Sequence, residues 1–248
     1  MDLSVIIPVY NEASSIRPLY EELNRVLPEL FGLNYEIIFI NDGSEDATAS
    51  QVAGVMKNDS RVYLISFTRH FGLSAGLAAG FEFAKGEVFV SMDGDLQHDP
   101  QDIPRLLHEL HKGYDLVCGN RKMPRYTSFT RNLCSLSANY IGRIFFGVPI
   151  HDLSTTFRAY RSATLKSLLI FNGAHRFIPV LAWMNNFKIS EVVVSYRLRQ
   201  HGYSKVRIIP RLFKVVYDAI LIRISFFCVK SCRGIFFKKV QYDIQYKH

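Results

Sequence analysis

The sequence has few cysteines and no long uncharged apolar run. It contains four cysteines in 248 residues, at Cys118, Cys134, Cys228 and Cys232. These are too few for a disulfide scaffold and lack zinc-site spacing, so we expect reduced thiols in a cytosolic compartment. Because no run of about 18 uncharged apolar residues occurs, we expect no standard membrane span. The first residues have no basic region and reach Pro8 after a short apolar run, so no secretory signal is expected.

The composition excludes disorder as the main state and places the positive charge in one region. Apolar residues make up 48% of the chain, which includes 19 phenylalanines and 13 tyrosines, enough for a core. Residues 1–196 carry 18 basic and 20 acidic side chains, whereas residues 197–248 carry 12 and 2. A near-neutral bulk with a basic tail argues against a uniformly basic protein, so we expect no nucleic-acid partner.

Apolar runs alternate with amphipathic segments along the first 120 residues. The pattern predicts strands at 3–9, 35–40, 62–67, 87–92 and 115–119, with helices between them. Ser14 or Ser15 is the expected N-cap of the first helix. Five such alternations predict an α/β fold with a mostly parallel sheet covered on both faces. Residues 120–175 are predicted to be helical and loop segments, and 189–196 a late strand.

Polar side chains follow three of the predicted strands, in Tyr10-Asn11-Glu12, Asn41-Asp42-Gly43 and Asp93-Gly94-Asp95. A single carboxylate at a strand end commonly caps the next helix. Parallel sheets bind ligands at the carboxyl ends of their strands, so three such ends favour a shared polar ligand. Neither a G-x-G-x-x-G nor a P-loop motif follows the first strand, and a dinucleotide site of the usual kind is therefore not predicted.

The segment Asp93-Gly94-Asp95-Leu96-Gln97-His98 is the sharpest chemical feature. Its two carboxylates and the amide oxygen of Gln97 are hard ligands, which suit a Mg²⁺ or Mn²⁺ ion that also holds a phosphate. The alternative is a solvated Asp-Gly turn, and spacing alone does not separate the two.

Two basic segments are candidate anion sites. Arg199-Gln200-His201-Gly202-Tyr203-Ser204-Lys205 can bring backbone N–H groups, a hydroxyl and an ammonium to a phosphate, or can be an ordinary basic loop. Upstream, Arg121, Arg125 and Arg131 form either a second anion site or an exposed polar stretch.

Residues 211–229 predict an amphipathic helix. Arg211, Lys214, Asp218 and Ser225 share one side, and aliphatic and aromatic residues cover the remainder. A basic, aromatic-rich amphipathic helix is typical of a membrane interface, and the lysines and arginines that follow favour an anionic surface. The alternative is a helix packed on the core.

Taken in order and spacing, these motifs resemble the inverting glycosyltransferases of family 2, which have the GT-A (nucleotide-diphospho-sugar transferase) fold. Within that family the chain resembles the polyprenyl-phosphate subgroup, which includes dolichol-phosphate mannose synthase. The resemblance covers roughly residues 3–222. The matching segments are 5–12, 40–44, 93–98, 119–121, 175–179 and Arg199-x-x-Gly202-x-Ser204-Lys205.

The resemblance implies roles on the donor side. Pro8, Tyr10 and Glu12 would line the nucleoside pocket, and Asp42 would hydrogen-bond the base. Asp93 would lie by the ribose and the metal, while Asp95 and Gln97 would bind Mg²⁺ or Mn²⁺. Arg199, Ser204 and Lys205 would close over the donor phosphates, and Asp95, Arg199 and Lys205 are the expected catalytic residues. Alanine is common in the family where this chain has Gly94, a difference expected to matter little.

On the acceptor side, Arg121, Arg131 and Asp152 match the family's positions near the acceptor phosphate. The implied reaction is metal-dependent transfer of a sugar, with inversion, from GDP-mannose or a UDP-hexose to a polyprenyl (dolichyl or undecaprenyl) phosphate. The alternatives are a family 2 enzyme with a soluble saccharide or protein acceptor, and a nonenzymatic nucleotide- or lipid-binding module.

The expected organisation is a catalytic domain at 1–205 and a basic, membrane-associating tail at 206–248. The protein would lie peripherally on the cytoplasmic face of a membrane. It would be held there by its interfacial helix or by a partner membrane protein.

Overall fold

Eight strands form one mixed sheet in the protein, for which a computed structural model describes residues 1–30, 32, 34–122, 139–140, 142–168, 170–197, 216–224 and 239–247. The strands are β1 (Leu3–Val9), β2 (Tyr35–Asn41), β3 (Val62–Phe67), β4 (Val88–Ser91), β5 (Leu116–Arg121), β6 (Arg158–Arg161), β7 (Ile189–Val194) and β8 (Ile244–Lys247). Their order across the sheet is β7-β5-β6-β4-β1-β2-β3-β8. The neighbours of β1, namely β2 and β4, run parallel to it, as β3 does to β2 and β7 to β5.

Helices cover both faces of this sheet. They are α1 (Ala13–Val26), α2 (Thr48–Met56), α3 (Leu73–Phe83), α4 (Ile103–His111), α5 (Ser162–Lys166) and α6 (Ile178–Met184). Residues 142–146 and 216–224 are also helical. None of the helices in the described part of the chain is long and apolar enough to cross a membrane.

The core lies in two clusters, one on each face of the sheet. Alternate residues of a strand point to opposite faces, so Ile6 packs with α3 in one cluster, whereas Val5 and Ile7 pack with α1 and α4 in the other. Burial on both faces explains why the central strands are continuous apolar runs. It confirms the predicted α/β fold with a mostly parallel sheet.

The predicted central strands agree with the structure to within about two residues, but the predicted cap of the first helix is wrong. The helix begins at Ala13, and neither Ser14 nor Ser15 caps it. Instead, the Ala13 N–H donates to Asp46 Oδ2 at 3.2 Å and the Glu12 N–H to Thr48 Oγ1 at 2.9 Å. A neighbouring loop thus supplies the acceptors that a local serine was expected to provide.

Two strands lie where none was predicted. β6 inserts antiparallel between β4 and β5, within the segment expected to be helical and loop. β8 pairs antiparallel with β3, so the sheet extends into the segment assigned to the tail. The boundary predicted between residues 205 and 206 lies outside the described residues, as does much of the 211–229 segment. Cys118 is a buried free thiol in β5, and the other three cysteines also lie outside the described residues.

Candidate active site

The carboxyl ends of β1, β2 and β4 meet at one edge of the sheet, because these strands are parallel neighbours. The Asp42 N–H donates to the Val9 carbonyl oxygen at 2.9 Å, which fixes the end of β2 against the end of β1. The predicted donor-side residues of the segments 8–12, 42 and 93–97 therefore leave the sheet at the same edge, as the sequence pattern indicated.

Asp42 is buried and holds the loop between β3 and α3. Its Oδ1 accepts the Phe71 N–H at 2.7 Å and its Oδ2 accepts the Gly72 N–H at 2.8 Å. His70 Nδ1 lies 2.9 Å from Oδ2, and the His70 ring packs against Tyr10 with centroids 4.2 Å apart. Burial raises the pKa of Asp42, and these hydrogen bonds offset part of that shift. Asp42, which the family resemblance assigns to the nucleotide base, thus also organises the loop at residues 70–72.

Gly43 permits the close approach of this loop. Its φ is +67°, and a Cβ at this position would lie 2.3 Å from the carbonyl carbon of Arg69. A side chain would therefore push the 69–72 segment away from Asp42.

The end of β1 turns sharply at Asn11, which has a left-handed φ of 54°. The Asn11 N–H donates to Ser44 Oγ at 2.9 Å, and Asn11 Oδ1 accepts the Glu45 N–H at 2.9 Å. This reciprocal pairing holds Tyr10 and Glu12 next to the loop that follows Asp42.

Within the 93–98 segment, half-buried side chains alternate with buried ones. Asp93, Asp95 and Gln97 are half-buried, whereas Gly94, Leu96 and His98 are buried. Leu96 has a left-handed φ of 63°, and Asp95 Oδ1 accepts the Gln97 N–H at 3.2 Å. The strained turn keeps the three oxygen-bearing side chains accessible and packs the others inward.

Two carboxylates and one carboxamide oxygen fit a hard divalent cation whose remaining ligands come from a diphosphate. Among the described residues, no three His, Cys, Asp or Glu side chains come together as a complete metal cluster. Asp93, Asp95 and Gln97 supply three oxygen donors, fewer than octahedral coordination requires, so the set by itself would leave coordination positions open.

A short segment, 195–197, runs beside the 93–98 segment. The Arg197 N–H donates to the Gln97 carbonyl oxygen at 2.8 Å, and Tyr196 forms a β-bridge with His98. The Arg197 guanidinium donates to Glu22 at 2.7 Å and to Asp99 at 2.6 Å. The chain therefore reaches the predicted metal ligands two residues before Arg199. Arg199, Ser204 and Lys205 themselves lie outside the described residues.

His98 is fully buried between aromatic rings. Its ring stacks on Phe157 with centroids 5.1 Å apart, and Tyr196 lies 6.0 Å away on a tilted plane. The Asp93 N–H donates to His98 Nδ1 at 3.4 Å. Burial lowers the pKa of His98 to about 4, so the ring is neutral at pH 7 and accepts this hydrogen bond. The ring thus supports the backbone of Asp93.

Arg121 and Asp152, two predicted acceptor-side residues, form a buried ion pair. The guanidinium donates from Nε to Asp152 Oδ2 at 2.8 Å and from Nη2 to Oδ1 at 3.1 Å, and Nη2 also donates to Ser154 Oγ at 2.9 Å. Burial lowers the pKa of Arg121, but the hydrogen bonds and charge of Asp152 more than offset this and raise it. The guanidinium lies 5.2 Å from the Tyr196 ring centroid. Arg131 lies outside the described residues.

The sequence interpretation assigned no role to Tyr196 and Arg197, although both contact the segment 97–99. The Tyr196 ring lies 6.0 Å from the His98 ring and 5.2 Å from the Arg121 guanidinium, so it adjoins both the predicted donor-side segment and the predicted acceptor-side pair. The partners of Arg197 are separated from it by 175 and 98 positions along the chain. No local sequence pattern marks such a contact.

Comparison with known proteins gives one family match. The family model "Glycosyl transferase family 2" matches residues 4–169. The dodecaprenyl-phosphate galacturonate synthase of Rhizobium johnstonii is 36% identical over 245 residues, covering 96% of this chain and 70% of that protein. The undecaprenyl-phosphate 4-deoxy-4-formamido-L-arabinose transferase of Edwardsiella ictaluri is 34% identical over 221 residues, covering 88% and 66%. The chain thus spans about two thirds of the length of these relatives.

Solved structures share the fold. Glucosyl-3-phosphoglycerate synthase from Mycobacterium tuberculosis, solved with Mn²⁺ and UDP-glucose, superimposes with a TM-score of 0.63 at 22% identity, covering 91% of this chain and 78% of that one. TarS from S. aureus, solved with UDP-GlcNAc, gives a TM-score of 0.63 at 20% identity, covering 90% and 66%.

Proposed function

The chain belongs to glycosyl transferase family 2, and on that basis we propose that it transfers a sugar from a nucleotide-sugar donor to a polyprenyl phosphate. The observation that carries the proposal is the position of Tyr196, between the donor-side segment 93–98 and the buried Arg121–Asp152 pair. A transferase needs two substrate sites in contact, and this one residue adjoins both. The two relatives whose names specify a polyprenyl-phosphate acceptor support the lipid half of the proposal.

On the donor side, Pro8, Tyr10, Glu12 and Asp42 line the nucleoside pocket, and the donor is GDP-mannose or a UDP-hexose. Asp93, Asp95 and Gln97 hold Mg²⁺ or Mn²⁺. When bound, such a cation neutralises charge on the departing diphosphate. The left-handed turn at Leu96 and the support from His98 orient these ligands before the substrate arrives. Arg199, Ser204 and Lys205 close over the donor phosphates.

On the acceptor side, a lipid monophosphate is already anionic at neutral pH. It needs orientation more than deprotonation, so no strong general base is required. A phosphate oxygen attacks the anomeric carbon, the bond to the nucleotide diphosphate breaks, and the diphosphate leaves with the electron pair. Single displacement inverts the anomeric centre, so an α-linked donor gives a β-linked lipid-phosphate sugar.

Arg121, Arg131 and Asp152 serve the acceptor phosphate in this proposal. The contacts of Arg121 make Asp152 the residue that fixes the guanidinium, since two of the three nitrogens of Arg121 donate to Asp152. A buried guanidinium with its plane fixed in this way pays little ordering entropy when a phosphate binds.

The helical segment 216–224 supports binding to a membrane surface. Asp218 and Ile222 are buried against the domain, so the acidic side of the helix faces inward. The outward side exposes apolar side chains together with those of the 140–145 segment, namely Tyr140, Ile144, Phe145, Val216, Tyr217, Ile220 and Ile224. We call this surface the apolar face.

Cations accompany the apolar face. The Arg223 guanidinium lies 5.7 Å from the Phe145 ring centroid, and Arg143 lies 5.9 Å from that of Tyr140. Exposed apolar side chains beside arginines suit the interface of an anionic bilayer. The proposal places the protein peripherally on the cytoplasmic face of a membrane, held by this surface or by a partner membrane protein.

The test is nucleotide release from candidate donors, with and without Mn²⁺ and with and without a short polyprenyl phosphate. We expect release that requires both. Release that ignores the lipid would contradict the proposal and favour a soluble acceptor, and the absence of release from every donor would favour a binding module. A thermal-shift screen of GDP-mannose, UDP-glucose and UDP-N-acetylglucosamine selects the donors for this assay.

A further inference from the structure

Residues 239–247 pack against the strand that leads into the nucleoside side of the site. β8 pairs with β3, and the Thr68 N–H donates to the Asp243 carbonyl oxygen at 3.1 Å. Nearer the start of this segment, the Val240 N–H donates to the Ile170 carbonyl oxygen at 3.0 Å. The segment is therefore fastened to the catalytic domain by backbone hydrogen bonds at two separate places.

Tyr242 contacts both β3 and α3 through its side chain. Its ring stacks on Phe67, the last residue of β3, with centroids 5.0 Å apart and planes 22° apart. Its hydroxyl donates to Glu82 Oε2 on α3 at 2.8 Å. Burial, together with the neighbouring Glu82 carboxylate, raises the pKa of Tyr242, so the hydroxyl remains a donor at neutral pH.

The contacts continue from Phe67 to the nucleoside pocket. Phe67 meets Phe71 edge-on with centroids 5.7 Å apart, and the Phe71 N–H donates to Asp42 Oδ1 at 2.7 Å. Tyr242 is thus two aromatic contacts and one hydrogen bond away from the carboxylate assigned to the base.

We propose that Tyr242 is a positioning residue for the donor nucleotide. Its stacking on Phe67 holds the loop that contains Phe71 and Gly72, and the amides of that loop keep the Asp42 carboxylate oriented in the nucleoside pocket. The inference deepens the proposed function and rests on it, because it takes the surroundings of Asp42 as the nucleoside site. A stacked aromatic pair is worth about a two- to tenfold change in an equilibrium constant, which sets the size of the expected effect.

The test compares three variants of the full chain. Tyr242→Ala removes the stack, whereas Tyr242→Phe keeps the stack and removes only the hydrogen bond to Glu82. Tyr20→Ala is the matched control, since Tyr20 is a half-buried tyrosine whose hydroxyl donates to Asp59 at 3.0 Å in the other core cluster. Each is measured by amide hydrogen exchange and by calorimetric titration with UDP and with GDP in the presence of Mn²⁺.

We expect Tyr242→Ala to accelerate exchange at the Phe71 and Gly72 amides and to weaken nucleotide binding about two- to tenfold. Tyr242→Phe should match the wild type in both measurements. Tyr20→Ala should lower the free energy of unfolding without changing the exchange at Phe71 and Gly72 or the affinity for nucleotide.

Unchanged exchange at Phe71 and Gly72 in Tyr242→Ala, or equal acceleration in Tyr20→Ala, would overturn the inference. A wild-type chain that binds neither nucleotide would contradict the proposed function instead. The exchange comparison would still decide whether Tyr242 holds the loop.

Discussion

Arg121 and Asp152 meet through two parallel hydrogen bonds, from Nε to Oδ2 at 2.8 Å and from Nη2 to Oδ1 at 3.1 Å. Arg121 is 7% exposed and Asp152 is fully buried. The pair joins the last residue of β5 to the segment that leads into β6. Because both charges are removed from water, each depends on the other for compensation.

Asp152→Ala should lower the free energy of unfolding by about 3–5 kcal/mol, because it leaves the Arg121 guanidinium buried without its carboxylate. Urea unfolding followed by circular dichroism measures the change. Replacing both partners, in Arg121→Met with Asp152→Leu, should cost less than Asp152→Ala alone. Ser154→Ala is the control and should cost about 2 kcal/mol, because Ser154 Oγ accepts one hydrogen bond from Arg121 and donates another to Asp152. A loss in Asp152→Ala no larger than that of Ser154→Ala would show that the pair does not stabilise the fold.

The central sheet could be predicted from the sequence because apolar periodicity specifies it. The runs at 3–9 and 62–67 have the same bounds in the structure. β6 escaped prediction because it has four residues, and its first, Arg158, is a fully buried arginine that donates to the carbonyl oxygens of His175 and Leu153. A charged residue at a core position conceals a strand from any pattern based on hydropathy.

For the candidate site, too, the sequence predicted one part of the arrangement and missed another. The motifs predicted which strand ends would meet, since parallel neighbours place their carboxyl ends together. They did not predict the second role of Asp42, because its partners at 70–72 are brought near only by the β3–α3 connection. Nor did helical periodicity give the orientation of the 216–224 segment. The sequence showed a polar side that includes Asp218, and the fold buries that residue.

Gly94→Ala should destabilise the protein, contrary to the expectation that this position tolerates either residue. A Cβ at Gly94 would lie 2.5 Å from Val9 Cγ1, and Val9 is buried at the end of β1. Overpacking of this kind costs about 1–3 kcal/mol of unfolding free energy. Thermal unfolding should show a lower melting temperature in the single variant.

The second-site variant Val9→Ala supplies the control for Gly94→Ala. If the steric contact is the cause, the double variant should lose less unfolding free energy than the sum of the losses in the two single variants. Additive effects would assign the loss to some other cause.

Asp59→Asn should weaken the acid dependence of stability. Arg61 donates to both Asp59 oxygens at 2.8 Å, which holds the pKa of Asp59 below its usual value. A carboxyl whose pKa is lower in the folded state contributes stability above its unfolded pKa, near 4, and loses it as the pH falls below that value. Unfolding in urea at about pH 5 and about pH 3 should therefore differ less in Asp59→Asn than in the wild type. Glu29→Gln, an exposed site, should leave the difference unchanged; equal differences in all three proteins would contradict the assignment.

Asp95→Ala should abolish metal-dependent turnover while the fold is retained, because the half-buried Asp95 carboxylate is a proposed ligand of the cation. Turnover in the presence of Mn²⁺ should fall about 100-fold or more, with an unchanged circular dichroism spectrum. Glu87→Ala is a suitable control, since this exposed carboxylate lies just before the amino end of β4, the strand that leads to Asp95. Undiminished activity in Asp95→Ala would remove Asp95 from the proposed metal ligands.

The apolar face predicts a measurable affinity for anionic vesicles. Tyr217 and Ile220 are 62% and 45% exposed on its outward side. Replacing both by Glu should reduce co-sedimentation with vesicles of phosphatidylglycerol and phosphatidylethanolamine about tenfold or more, since two apolar side chains leave the interface and two negative charges enter it. Binding of UDP or GDP with Mn²⁺ should be unchanged, because the substitutions lie outside the donor-side residues.

Val193→Glu gives the matched control for this experiment. Val193 is 41% exposed on β7, where it lines a surface groove with Pro104 and His108 of α4. The variant therefore tests whether replacing any exposed apolar residue would reduce vesicle binding. Vesicle binding should remain at the wild-type level in Val193→Glu. In both proteins it should weaken with added salt, because the arginines beside the apolar face contribute to binding. If the wild type fails to sediment with anionic vesicles, the proposal that the apolar face binds a membrane surface is contradicted. If Val193→Glu loses vesicle binding to the same degree as the double variant, binding is nonspecific and the assignment of the apolar face is wrong.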